Sequence, residues 1–371
     1  MRALIVSAPL LGHLLPLVPL AAALRDAGHD VLIATGGAAL DADTRGVGVR
    51  DVAPGLRFER IALGVLVRHP LLFRAEMAGK AGTGAVSRMF ATVNDRFADP
   101  VVELARDWRP DVVVHEPLSP AAAVAAAVTG TPAVHVENAL FDGPAVAAAV
   151  VERMGATLRR HGLTALPEPA LTVTVRPPSL GGSAALRPMR PGAPATDGAP
   201  DWLLRPADRP RILVSRSTVQ GPAGGDPMPS VVAAAGDVDA EVVLVRPAPR
   251  TQRRPLPANV RTVGWVPLPA VLPHATAVVH HGGAGSVLAA CAAGIPQLAT
   301  PGPGDRRYNA ELVASAGAGL AVPAPRIDAA ALTRLVTEQG LAERARAVRA
   351  EIDAMPPPEA LVDELAGLPR S

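Results

Sequence analysis

The chain has 371 residues, 49% of them apolar and only 2% aromatic, and its 36 basic residues nearly balance 34 acidic ones. That length exceeds one ordinary core and suits two domains packed with Ala, Val and Leu. Scarce aromatics and balanced charge argue against a base-stacking, basic-groove nucleic-acid binder, and the single Cys291 excludes an intramolecular disulfide or a multi-Cys zinc site, in keeping with a reducing cytoplasm.

From the N-terminus, Arg2–Ser7 (RALIVS) reads as a short buried strand, APLLGH as a loop, Leu14–Ala27 as a helix ended by Gly28, and His29–Ala34 as the next strand. That order is a βαβ opening. Gly12, His13, Pro16 and Pro19 interrupt the apolar run, which argues against a secretory signal. Apolar runs of about 18 residues are absent, so no membrane insertion is expected.

Ile61–Val93 is a long segment carrying Leu66, Leu71, Leu72, Phe73, Met77, Met89 and Phe90. Adaptable Met and bulky apolar side chains suit a pocket for a hydrophobic small molecule, and equally suit ordinary helical core. The candidates for such a pocket are Leu11, Phe73, Met77, Met89 and Phe90.

RPDVVVHEPLSPAAAVAAAVTGTPAVHV, from Arg109, orders a strand, a polar turn, an Ala-rich helix, Gly130, Pro132 and a strand. ATAVVHHGGAGSVLAACAAGIPQLAT, from Ala275, repeats that order with Gly294 and Pro296. Gly suits a left-handed helix C-cap, and Pro cannot continue the helix. Between these segments, Arg187–Pro210 is rich in Pro and Gly and reads as a linker. Arg211–Ser215 opens a second series, through a helix near Ser230–Ala235 to the strand Ala240–Val245. Ala342–Ala350 and Pro358–Leu368 read as terminal helices. The fold expected is α/β: two Rossmann-like domains facing a cleft, with ligands at the carboxyl ends of parallel strands. The boundaries read as 1–190, a linker 191–210, 211–355, and a C-terminal helix 356–371 packing back on the first domain.

In VVHHGGAGS, Gly282, Gly283 and Gly285 allow a tight turn before a helix starting near Ala284. A helix N-terminus after such a turn offers N–H groups and a positive dipole to an anion. Ser286 and His281 add donors, so the loop reads as a phosphate or diphosphate cradle. It is neither a G-x-G-x-x-G nor a Walker A loop. His280 ends the buried strand and reads as structural.

The segment GWVPLPAVLPHATAVVHHGGAGSVLAACAAGIPQLATPGPGDRRYNAELVASAGAGL resembles the nucleotide-sugar signature of family 1 glycosyltransferases, which have the GT-B fold. The likeness is closest to bacterial enzymes that decorate polyketide antibiotics, extends in outline along the chain, and is strongest from Gly264 to Leu320. It implies a base-stacking role for Trp265, backbone contact to the base at Val266, and diphosphate binding by His281, Gly283, Ala284, Gly285 and Ser286. Ser215 and Thr218 fall in a further phosphate-side loop. Asp305 and Arg306 stand where the family has an Asp-Gln pair for sugar hydroxyls. Arg306 is a cationic fork with no acceptor, and would pair with Asp305 or reach the diphosphate. Ala289 stands where uridine-nucleotide members carry a ribose-binding glutamate, which points to a dTDP-deoxysugar donor.

The resemblance also makes His13, in Gly12-His13-Leu14-Leu15-Pro16, the general base, with Glu116 at the position of the aspartate that orients it. The implied reaction is inverting transfer of a deoxysugar to a hydrophobic polyketide-type acceptor. No metal and no separate cofactor is expected: Asp41–Asp43 and Asp237–Asp239 read as solvated loop charges. A homodimer is left open by the sequence. Two other readings remain: a GT-B-fold nucleotide-sugar epimerase, and a non-catalytic partner of another transferase, against which the joint presence of His13 and the donor loop speaks.

Overall fold

β-branched and aliphatic runs form the centre of two parallel sheets. The computed structural model describes residues 1–192, 198–217, 226–253 and 255–369, in two units. The first comprises Met1–Glu76, Ala81–Gly192 and Met355–Ser371, and the second comprises Met77–Lys80 and Ala193–Ala354.

In the first unit the strands are β1 (Arg2–Val6), β2 (Asp30–Thr35), β3 (Gly48–Asp51), β4 (Val112–His115), β5 (Ala133–Glu137), β6 (Leu171–Thr174) and β7 (Arg187–Pro188). Their order is β3-β2-β1-β4-β5-β6-β7, all parallel. Chain order reverses between β1 and β4, where Val6 lies opposite His115. The loops leaving these two strands therefore open a crevice at the sheet's carboxyl edge, the usual ligand position in such folds. Leu4, Val6 and Val113 are buried in one core with Phe97 and Val101 from the helix Gly84–Trp108.

The second unit holds β8 (Arg211–Ser215), β9 (Glu241–Val245), β10 (Val260–Val263), β11 (Ala277–His280), β12 (Gln297–Ala299) and β13 (Gly319–Ala321), in the order β10-β9-β8-β11-β12-β13, again all parallel. Here the reversal falls between β8 and β11. Every side chain of β8 and of β11 is buried, as expected where helices cover both faces of a parallel sheet.

The repeated Gly-x-Pro signal has one physical meaning. Gly130 (φ +63°) and Gly294 (φ +70°) are the left-handed C-caps of the helices Ala121–Thr129 and Ala284–Ala293.

Three sequence expectations need correction. The first helix is broken into Leu11–Leu14, a 3-10 turn Leu15–Leu17 and Val18–Asp26, because Pro16 and Pro19 withhold backbone donors. The stretch Arg187–Pro210 is not linker throughout. Arg187–Pro188 pairs with β6, and Asp201–Leu204 forms a 3-10 turn that buries Leu203 in the second core and sets Trp202 under the Arg261 guanidinium at 3.6 Å. The penultimate helix runs Gln339–Ala354, well beyond Ala342–Ala350, and Pro358–Leu368 is a 3-10 turn followed by a short helix Val362–Ala366. The closing segment joins the first unit: the Arg190 amide donates to the Pro356 carbonyl at 2.7 Å, and Arg187 Nε meets Glu364 at 2.8 Å. Among the described residues, no helix is long and apolar enough to cross a membrane.

Candidate active site

In the first unit the switch point brings His13 and Glu116 together. His13 lies in the short helix just after β1, and Glu116 directly follows β4. His13 Nδ1 is 3.0 Å from Glu116 Oε2. The Glu116 carboxylate is fully buried yet completely coordinated. Oε1 accepts from the Ala8 amide (3.0 Å) and Ser119 Oγ (2.7 Å), and Oε2 accepts from the Leu118 amide (2.9 Å) besides His13. Burial pushes the Glu116 pKa up, but the His13 charge and these donors outweigh it and leave the pKa below the usual value. An ionised Glu116 accepts from Nδ1–H, which fixes the His13 tautomer and ring orientation.

Asn138, the residue after β5, donates through Nδ2 to the His13 carbonyl at 2.8 Å, holding the base helix from the next strand end. Ser119 and Asn138 were not picked out from sequence. Ser119, three residues after Glu116, was legible as a turn hydroxyl within reach of that carboxylate. Asn138 was legible as the polar residue immediately after a buried strand run.

Beneath the same strand ends lie His115 and His135, rings 5.0 Å apart, both kept below the ordinary imidazole pKa chiefly by burial, His135 down to about 3.

The apolar candidates differ in burial. Phe90 is core: it is 3% exposed, stacked 5.1 Å from Phe58 and 6.3 Å from the His13 ring. Its burial matches the second of the two readings open to it, ordinary helical core, although its ring lies near that of His13. Met89 packs against the same core, Leu11 is partly buried on the His13 helix, Phe73 is exposed on the helix Pro70–Met77, and Met77 ends that helix.

In the second unit, β11 delivers His280 into the core and His281 to the turn. His280 Nδ1 accepts from the Gly282 amide (3.0 Å), and its Nε2–H donates to Gln297 Oε1 (2.8 Å); Gln297 Nε2 in turn donates to Cys291 Sγ (3.2 Å). Burial holds this imidazole at a pKa of about 4. His280 is thus structural, as read from sequence. Of the three glycines, only Gly282 adopts a positive φ (+80°), and a Cβ there would lie 2.9 Å from the Arg306 carbonyl oxygen and 3.1 Å from that of Thr300. Gly283 is the N-cap of the helix Ala284–Ala293, and its bare Cα accommodates the His281 ring, which a Cβ would strike. Ala284, Gly285 and Ser286 form the first helical turn, with amides free of i−4 partners at such a terminus. Ala289 follows Ser286 by three residues on the same helix.

His281 Nδ1 is buried without a hydrogen-bond partner among the described residues. Burial first, then the charges of Arg306, His280 and Arg246, push its pKa well down. Of the two alternatives for Arg306, a close pair with Asp305 does not form, although the Asp305 charge still acts on it. Asp305 stands at the N-cap position of the helix Arg306–Ser315 without a side-chain capping bond and receives Asn309 Nδ2 at 2.8 Å, while Arg306 Nη2 donates to Ser217 Oγ at 3.0 Å. The same Asn309 amide donates to the Gly282 carbonyl (2.8 Å), locking the donor turn to Asp305. Ser215 ends β8 buried, and Thr218 lies outside the described residues. Trp265, on the loop after β10, is 63% exposed and so is not core; its neighbour Val266 is 3% exposed and points into the second core. Alternation across that loop leaves a flat indole face open to a planar ring. Among the described residues, no cluster of three metal-ligating side chains forms.

Comparison with known proteins identifies the family and the fold. Models of the erythromycin biosynthesis protein CIII-like N-terminal and C-terminal domains match residues 22–217 and 229–368. The elloramycin glycosyltransferase of Streptomyces olivaceus is 34% identical over 96% of this chain and 95% of its own length. The crystal structure of the glycosyltransferase SnogD from Streptomyces nogalater superposes with a TM-score of 0.82 at 35% identity, covering 100% of this chain and 99% of that one. SsfS6, a glycosyltransferase of Streptomyces sp. SF2575 solved with thymidine diphosphate, superposes with a TM-score of 0.83 at 28% identity over 99% of both chains. Matched in both halves and related along its full length, the chain belongs to the erythromycin biosynthesis protein CIII-like family and is a glycosyltransferase of the GT-B fold.

Proposed function

We propose that the protein transfers a deoxysugar from a dTDP-sugar to a hydroxyl of a hydrophobic, polyketide-type aglycone, with inversion at the anomeric carbon and His13 as the base. The observation that carries this reading is the 3.0 Å contact between His13 Nδ1 and the buried, ionised Glu116. With its proton held on Nδ1, the ring presents its basic lone pair on Nε2. The acceptor O–H gives its proton to Nε2 as the oxygen bonds to the anomeric carbon. The bond from that carbon to the diphosphate oxygen breaks, and dTDP leaves with the electron pair. Glu116 stabilises the imidazolium formed.

On the donor side, His281, Ser286 and the amides of Gly283, Ala284 and Gly285 would bind the diphosphate and its growing charge, helped by the helix dipole. Trp265 would stack on the base, Val266 would meet it through its backbone, and Ser215 and Thr218 would serve the phosphate side. Asp305, held by Asn309, would take sugar hydroxyls. Ala289 supports thymidine over uridine nucleotides, since a methyl group forms no hydrogen bond to a ribose 2′-hydroxyl. The presence of thymidine diphosphate in the SsfS6 structure supports the same choice. The diphosphate set consists of a neutral imidazole, backbone amides and a hydroxyl, and the proposal includes no metal.

His13→Ala tests the reading. Turnover of a dTDP-deoxysugar with a polyketide aglycone should fall by about 10²–10⁴-fold, while calorimetry should show unchanged dTDP affinity and weaker UDP binding in both proteins. Undiminished turnover in His13→Ala would reject the base, and UDP binding tighter than dTDP would reject the donor.

A further inference from the structure

Two guanidinium groups, one from a strand end and one from a helix start, converge on one residue of the second unit. Ser217 follows β8 by two positions. Its carbonyl accepts from Arg246 Nη2 at 2.9 Å, and its hydroxyl accepts from Arg306 Nη2 at 3.0 Å. Arg246 directly follows β9, whose Val245 is in register with Ser215, so Arg216 and Arg246 leave neighbouring strands side by side. Both arginines and Arg306 are partly buried. Among the described residues, none of the three has a carboxylate within ion-pair distance, although most other arginines at comparable burial do, such as Arg176 with Glu137 and Arg211 with Glu241. Arg216 Nε is also buried without a hydrogen-bond partner among those residues.

Among the described residues only the Asp305 charge acts on this group, at Arg306 and from beyond ion-pair distance, and several like charges held together partly out of water are unfavourable unless an anion joins them. Burial, and then Arg216, lower the Arg246 pKa, and the charges of Arg306 and Arg246 contribute to the lowering at His281. The backbone shows the same commitment. Arg246 sits at φ +53°, a left-handed conformation rare for a long side chain, and it re-aims the chain at the end of β9.

We infer that Arg246 and Arg216, together with Arg306, form a cationic clamp for the donor's diphosphate, beside the His281 turn and its helix N-terminus. The inference rests on the donor reading above. Arginine forks suit phosphate oxygens because they donate in pairs. In this chain the clamp takes over charge neutralisation at the diphosphate, and Arg306 joins it through Ser217 rather than serving the sugar.

Arg246→Asn is the informative variant, since Asn enters the left-handed region readily and spares the backbone. Arg216→Gln is its companion, and thermal melting checks that both remain folded. Calorimetry with dTDP, inorganic pyrophosphate and thymidine should show at least a tenfold loss of dTDP and pyrophosphate affinity in each variant, with thymidine binding unmoved. Wild-type affinity for pyrophosphate and dTDP in both variants would overturn the clamp and leave the donor reading intact. Pyrophosphate binding that weakens in the variants, with no preference for dTDP over other nucleoside diphosphates, would support the clamp and overturn the donor reading.

Discussion

At the scale of single residues, Glu116 shows how a charge is made tolerable in a core. Four donors, two on each oxygen, replace its hydration. A glutamine keeps the size but presents an amide N–H₂ to one pair of those donors, either Ala8 and Ser119 or Leu118 and His13. Glu116→Gln should therefore lower kcat by about 10²–10⁴-fold, through loss of the His13 tautomer, while dTDP affinity stays put. Steady-state kinetics beside calorimetry reads both, and an unchanged kcat would separate Glu116 from the base. At this scale His281 and Ser286 were legible by type and spacing, whereas His13, Glu116 and Asp305 were singled out through the family resemblance. Arg306 was legible as a departure from the family pattern but not in its partner, because its contact with Ser217 joins positions 89 residues apart.

At the scale of elements, the donor turn is held by one local and one long-range side-chain bond as well as by its own glycines. The Gly282 amide is pinned by His280, and its carbonyl by Asn309. A Cβ at Gly282 would press on two backbone oxygens that cannot rotate away, at a residue already in the left-handed region. Gly282→Ala should cost about 1–3 kcal/mol locally and weaken dTDP binding about tenfold or more. Gly294→Ala is the contrast. It carries the same φ penalty, but its Cβ would meet only the Arg349 side chain at the far end of the helix Ala284–Ala293. It should lower Tm and leave dTDP affinity unchanged. Equal nucleotide binding in both variants would argue against a pinned turn. Helix ends were legible at Gly130 and Gly294, where a C-cap has its own local chemistry. The broken first helix was not read as broken, although Pro16 and Pro19 were visible, because the apolar period continues across them.

At the scale of the whole molecule, several imidazoles are folded into dry interiors. His280 is held at about 4 and His135 at about 3, and His115 is also lowered, all first by burial. Their folded pKa values lie below the unfolded value near 6.5. Between pH 6.5 and about 4 the unfolded chain binds protons that the folded chain refuses, so stability falls as pH is lowered through that window. His280 alone accounts for roughly 3 kcal/mol across it. Glu116 acts in the same direction at lower pH, since its depressed pKa contributes stability that is lost on protonation. Thermal melts should show Tm dropping by several degrees between about pH 7.5 and pH 5, and a His280→Gln chain should show a shallower slope. A flat Tm over that range would contradict the assignment of neutral, buried histidines.

The sequence by itself determined the two α/β series, the strand–turn–helix that carries His281, and the histidine and glutamate of the first unit. Each is local: a run of aliphatic residues, a glycine turn and a polar residue just past a strand lie within about thirty residues of one another, where periodicity and turn chemistry operate. Only the tertiary structure decided that His13 Nδ1 faces Glu116, that Asn138 holds the His13 carbonyl, that Phe90 is core, and that Arg306 turns from Asp305 to Ser217. Those outcomes depend on strand order. Parallel sheets set β1 beside β4 and β8 beside β11 only after the intervening chain has crossed over and packed, and nothing in the local sequence encodes which strand ends will become neighbours.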